Sequence, residues 1–130
     1  MKTLWNLTQH AMTEDQVNDF ENMVNDAVQI INISGDNEKI KRLLTFDDIP
    51  STEEMEKRAD ELIDNVCCGD ENYALIGGAP YFMSTLERVL KHYDITPIYS
   101  FSKRQSIEEH LADGSVVKRN VFKHTGYIKV

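Results

Sequence analysis

The feature that most restricts the fold is a short apolar run, Tyr73 to Ile76, that enters Gly77-Gly78-Ala79-Pro80, then a helical pattern, then a second apolar run, Ile95 to Phe101. An unbroken apolar run bounded by turn residues marks a strand covered on both faces. Phe82, Leu86, Val89, Leu90 and Tyr93 recur at three-four spacing and give the intervening helix one buried stripe. A strand, a crossover helix and a second strand make a βαβ unit with parallel strands. The rest of the chain must extend a layered α/β sheet around that unit.

The N-terminal half does so. Leu4 to Thr8 reads as a strand, and Thr13 with Gln16 forms a capping box that opens a helix. Val17, Phe20, Val24, Ala27 and Val28 give that helix its buried face, so its end is expected near Gln29. Gln29 to Ser34 follows as a second strand, stopped by Gly35-Asp36-Asn37. Lys39 to Phe46 fits a short strand or irregular structure equally well. Ser51 with Glu54 is a second capping box, followed by Met55, Ala59, Leu62, Ile63 and Val66 on one face and Gly69 as a stop. Glu53 with Lys57 and Glu54 with Arg58 are spaced as solvated helix pairs. After Gln105 the pattern turns to period two (Ile107, Glu109, Leu111), with Asp113-Gly114 as a hairpin turn, then strands at Val116 to Phe122 and Tyr127 to Val130. The expectation is one α/β domain, residues 1–130, with a Rossmann-like, mostly parallel sheet flanked by helices and a C-terminal antiparallel hairpin extension.

Composition excludes several classes. With 41% hydrophobic residues in 130, a core needs no staples. Cys67 and Cys68 are adjacent, so they make neither a disulfide framework nor a metal knuckle and read as small residues at a helix end in a reducing compartment. The opening MKTLWNLTQH turns polar too soon for a signal peptide, and no run reaches bilayer length, so a cytoplasmic protein without a membrane is expected. A net charge of -8 opposes binding to long nucleic acids. The charge is uneven, because Lys103, Arg104, Lys118, Arg119, Lys123 and Lys129 gather in the last third. A small anion could be held there.

Open α/β sheets bind ligands beyond the carboxyl ends of their strands. The loop after the first strand, the Gly-Gly turn and a loop after Phe101 are expected to meet at that edge. Gly77 and Gly78 can turn bare N–H groups and a helix N-terminus toward phosphate, or can simply let strand and helix pack closely. Asn6, Thr8, Gln9 and His10 offer polar groups to a nucleotide, with His10 as acid or base or as an ordinary loop histidine. Ser102, Lys103 and Arg104 follow the Ile95 to Phe101 strand, where a basic fork pairs with phosphate, although loop cations are often plain surface residues. Lys123-His124 sits between the last two expected strands, and His124 is either a second acid or base opposite His10 or a partner for Tyr127. His92 and His110 read as surface residues. No HExxH or Cys/His spacing is present, so no metal is expected, and no Gly-x-Ser-x-Gly elbow supports acyl transfer.

The run Ala74-Leu75-Ile76-Gly77-Gly78-Ala79-Pro80-Tyr81-Phe82-Met83-Ser84 resembles the strand, Gly-Gly and helix motif of CRISPR-associated Rossmann-fold (CARF) domains. The opening Asn6-Leu7-Thr8-Gln9-His10 with Thr13 to Gln16, and the closing Asp113 to Val116 and Val121 to His124, resemble the small stand-alone members of the ring-nuclease type. Where that family has Thr-Lys after the glycines this chain has Ala79-Pro80, which removes a hydroxyl, a cation and one N–H. The resemblance implies a homodimer that binds a cyclic oligoadenylate at its two-fold interface. It also implies cofactor-free, metal-independent cleavage by a 2'-hydroxyl, which ends type III CRISPR signalling. Carried over by position, Gly77 and Gly78 contact the phosphates, Asn6, Thr8 and Gln9 line the pocket, Ser102 and Lys103 flank it, and Ala79 and Ser84 are further ligand-binding positions. His10, Arg104 and His124 are the expected catalytic groups. The rival readings are a module that sequesters or senses the nucleotide without chemistry, and a plain interaction protein.

Overall fold

The computed structural model describes residues 2–8, 10–32, 38–64 and 71–130, apart from the side chains of Lys39, Arg104, Gln105 and Phe122. In chain order the elements are β1 (Lys2–Asn6), α1 (Glu14–Val24), β2 (Val28–Asn32), α2 (Glu38–Leu44), α3 (Thr52–Ile63), β3 (Glu71–Leu75), α4 (Pro80–His92), β4 (Ile95–His110) and β5 (Val116–Lys129). The sheet runs β2-β1-β3-β4-β5, parallel through β4 and antiparallel between β4 and β5. This is the expected Rossmann-like α/β arrangement with its C-terminal hairpin.

Side chains alternate across a strand, and that alternation divides the core in two. Leu4, Tyr73, Leu75 and Ile98 pack with Phe20 of α1 on one face. Trp5, Ala74 and Ile76 pack with Leu43, Leu62, Phe82, Leu86 and Leu90 of α2, α3 and α4 on the other. Each face buries one stripe of every helix it carries, which is why the three-four spacings of α3 and α4 were readable.

Three helix expectations change. The first helix stops at Val24 because Asn25 takes a left-handed conformation, φ 53°, and donates its N–H to Glu21 O. Asn tolerates that geometry, so Ala27 and Val28 leave the helix for the turn and β2. In the segment left open between strand and irregular structure, residues 38–44 form helix α2, which buries Ile40, Leu43 and Leu44. Two turns carry too short a stripe to declare themselves in sequence. At α3 the cap is half of a box: Glu54 N–H donates to Ser51 Oγ at 3.1 Å, but the Glu54 carboxylate turns to Arg58 Nη2 at 2.9 Å. That arginine is no solvated partner. It donates to Arg42 O at 3.2 Å and Thr45 O at 2.6 Å and lies over the Phe46 ring, 4.3 Å from its centre, fastening the end of α2. The Thr13–Gln16 box at α1 is complete, with bonds of 2.9 and 3.2 Å.

The strands also differ from expectation. Strand β1 ends at Asn6, so Thr8 lies beyond it. The expected Ile95 to Phe101 strand and the loop after it are one sixteen-residue strand, β4, and Val116 to Val130 is likewise almost all one strand. Beyond Ile98, β4 leaves its parallel partner and continues with β5 alone as a two-stranded ribbon. Pairing Phe101 with Gly126 and Ser102 with His124 leaves Thr125 as the extra residue of a bulge. The turn at the far end is held by Asp113, whose carboxylate accepts from Ser115 N–H at 2.9 Å and Ser115 Oγ at 2.6 Å, bonds that hold its carboxyl below the usual range. Ser34, the Gly35 turn, Val66, Cys67, Cys68 and Gly69 lie outside the described residues.

Candidate functional site

From β1 the chain moves to one side for β2 and to the other for β3 and β4, so the winding reverses between β1 and β3. Loops leaving the two strands at such a reversal diverge and open a crevice. A cleft of about 420 Å³ lies there. Thr8, His10, Ala11, Met12 and Gln16 line it from the β1–α1 side, Leu75, Ile76, Gly77 and Gly78 from the end of β3, and Tyr99 and Ser100 from β4.

Asn6 shapes the β1 wall. It is fully buried, and its Nδ2 donates to His10 O at 2.7 Å and Asn32 Oδ1 at 2.8 Å. Its Oδ1 accepts from Thr8 N–H at 3.0 Å and Thr8 Oγ1 at 2.6 Å. The amide's polar groups are spent on this loop and on Asn32 at the end of β2, so Asn6 orders the wall and does not face a ligand. Thr8 and exposed His10 do line the cleft. Gln9 lies outside the described residues.

The floor is set by ladders that continue one step past the strands. Leu7 N–H donates to Leu75 O and Ile76 N–H to Ile98 O, both at 3.0 Å. Close packing does not require the two glycines: an added Cβ would meet Thr8 Cγ2 at 3.7 Å from Gly77 and Met83 Cε at 3.8 Å from Gly78, both ordinary contacts. Gly78 is needed for its backbone, φ 145°, which residues with a Cβ rarely adopt. Ala79 is the N-cap of α4 and carries no side-chain bond, and Pro80 opens the helix where a missing N–H costs nothing. Neither Ala79 nor exposed Ser84 lines the cleft.

The basic segment expected as a third loop is not one. Residues 102–104 are part of β4, and the backbone of Arg104 pairs with Phe122, about 13 Å along the strand from Ser100 at ~3.3 Å per residue. Exposed Lys103 pairs with Lys123 across the ribbon. Ser102, Lys123 and His124 instead line a second cleft of about 460 Å³ with Thr13, Asp15, Gln16 and Val121. Gln16 thus borders both clefts.

His124 lies within strand β5 rather than between two strands, and its side chain is 10% exposed. Its ring contacts Tyr127 at 4.8 Å between centres, the packing alternative read from the sequence. Nδ1 lies 2.7 Å from Ser100 Oγ, and Nε2 lies 3.0 Å from Asp19 Oδ2. The Asp19 oxygen is within ion-pairing reach but off the line of an Nε2–H bond, so Nε2 has no aligned acceptor among the described residues. Tyr127 donates its OH to Gln16 O at 2.6 Å, and burial, reinforced by the charge of Asp19, pushes that phenol's pKa up. Sequence reading missed Ser100 and Asp19. Their signals were slight: a hydroxyl interrupting the apolar run at Ile98 to Phe101, and a carboxylate beside the buried Phe20.

A family model described as the Uncharacterized protein MJ1673 family matches residues 2–128. The chain belongs to this family. The match to the MJ1673 family takes in both clefts and the whole ribbon, so none of these features is an appendage to the family's fold. No curated protein and no solved structure matches the chain. No helix among the described residues is long and apolar enough to cross a membrane.

Proposed function

We propose that the cleft between β1 and β3 binds a cyclic oligoadenylate, with a phosphate resting on Gly77 and Gly78 and a second copy of the chain completing the site across a two-fold axis. The observation that carries this reading is the cleft's position at the reversal of the sheet, floored by glycines that packing does not demand. Thr8, Gln16 and Ser100 supply polar groups for ribose and phosphate, and Met12 and Tyr99 supply apolar surface for a base. In the enzymatic version His10 takes the proton of a 2'-hydroxyl as it attacks its neighbouring phosphate, and the protein acts in the cytoplasm to end type III CRISPR signalling. Arg104 enters this version only through its position on the ribbon.

The non-catalytic version has an observation of its own. No lysine or arginine is among the described residues that line the cleft, so within one copy charge building on a phosphorane would be met only by backbone dipoles, His10 and the neutral side chains of Thr8, Gln16 and Ser100. Incubation of the protein with cyclic tetra-adenylate in EDTA, followed by chromatography and calorimetry, separates the versions. Linear products ending in a 2',3'-cyclic phosphate support the ring nuclease, and tight binding of an intact ring supports sequestration. Neither binding nor cleavage overturns both.

A further inference from the structure

Side chains from α1, β5 and β4 stand in a row that ends at the cleft: Asp19, then His124, then Ser100. The imidazole is nearly buried and fixed by contact with Tyr127, whereas Ser100 is only half-buried and opens onto the cleft. Ser100, Gly77 and Gly78 all line that cleft. Among the described residues the N–H groups of Gly77 and Gly78 meet no acceptor. A hydroxyl bonded to a base and bare donors therefore border the same space. A carboxylate at Nε2 favours the tautomer that carries its proton there, leaving Nδ1 to accept the Ser100 hydroxyl. Asp19 is 44% exposed and can turn into line, and such bonds are commonly loose until a ligand is bound.

We infer that Ser100 is a nucleophile with His124 as its general base and Asp19 as a positioning residue, acting on a phosphate ester whose free oxygens meet the N–H groups of Gly77 and Gly78. Ser100 Oγ bonds to phosphorus while its proton passes to His124 Nδ1. The bond from phosphorus to the leaving alcohol breaks on the side opposite Ser100, and that oxygen takes a proton from water in the open cleft while Nδ1 keeps the one it received. Water then enters from that same side and attacks the seryl phosphoester, releasing its proton to solvent, and Ser100 Oγ leaves with the proton that Nδ1 has held. Asp19 stabilises the imidazolium in both halves without taking a proton. The ring nitrogens are used in the opposite sense to the serine-protease triad, which changes the angle of approach but not the proton balance. The inference does not depend on the nucleotide being cyclic, and it differs from the 2'-hydroxyl route by requiring a covalent intermediate.

The test is to incubate the full chain with a biotinylated fluorophosphonate, whose P–F bond breaks as a serine oxygen attaches, and to map the adduct by peptide mass spectrometry. The expected adduct is on Ser100 and is lost in Ser100→Ala. Asp19→Asn and His124→Gln should slow labelling at least about a hundredfold, and Asp19→Glu should restore it. A thermal midpoint of Asp19→Asn close to that of the unaltered chain shows that the loss is not unfolding, and this variant decides the matter if His124→Gln does not fold. No adduct, an adduct elsewhere, or equal labelling of Asp19→Asn would overturn the relay. Release of nitrophenolate from bis(4-nitrophenyl) phosphate supports the substrate class, and release from 4-nitrophenyl acetate alone overturns it. Calorimetry of the unaltered chain with cyclic tetra-adenylate, run beside the labelling, keeps this outcome separate from that of the binding proposal.

Discussion

The parallel part of the sheet and the β4–β5 ribbon join at Ile98 and are built by opposite means. Strands β1 and β3 have neighbours on both sides and helices on both faces, and their side chains are almost all buried. Past Ile98 the ribbon has only its own two strands, and it leaves Phe101 51% and Ile107 39% exposed. Stability should therefore reside in the sheet, while the ribbon contributes mainly by placing the few side chains, His124 and Tyr127 among them, that α1 covers.

The largest effect expected from this contrast is in the core. Phe20 is fully buried and meets the edges or faces of Tyr73 and Tyr127 at 5.2 and 5.7 Å, so Phe20→Ala should cost about 3–5 kcal/mol in urea denaturation. Alkaline titration probes the same core without a core mutation. Burial first, then the hydrogen bond to Glu71 and its charge, push the Tyr73 hydroxyl up to about 12. The unfolded chain loses that proton near ~10. Stability from this group is thus complete below pH ~10 and falls as pH rises toward about 12, a decline that Tyr73→Phe should flatten in melts run across that window. Asn6→Ala strips partners from His10 O, Asn32 and Thr8, and should cost about 1–3 kcal/mol together with any affinity for a ligand in the β1–β3 cleft. Thr13→Ala breaks the complete capping box and should cost about 1 kcal/mol by thermal melts. On the ribbon, Ile107→Ala should change stability by less than about 0.5 kcal/mol. If Ile107→Ala instead rivals Phe20→Ala, the division between sheet and ribbon is wrong.

The same contrast explains what the sequence disclosed. The β3–α4–β4 unit and the Thr13 box were legible because a buried stripe and a cap are local patterns. The ribbon was not: residues 102–106, Ser-Lys-Arg-Gln-Ser, satisfy their backbone in a ladder yet are all polar residue types, and so read as a loop. Of the candidate site, the glycine floor, Thr8 and His10 were found from their position at a strand end. Asp19, Ser100 and His124 meet only because α1, β4 and β5 are packed together, and no spacing along the chain records that meeting.

The bulge at Thr125 has a consequence of phase. In a regular strand residues three apart point to opposite sides, yet Tyr127 and His124 share a side and touch. The extra residue is what brings them together, shifting by half a cycle everything on β5 that precedes it. Excising Thr125 would leave a ladder of the same strands, with the exposed residues of β5 from Val116 to Asn120 merely exchanged between its two faces. His124 could not absorb the exchange, because it would turn its back on both Asp19 and Ser100.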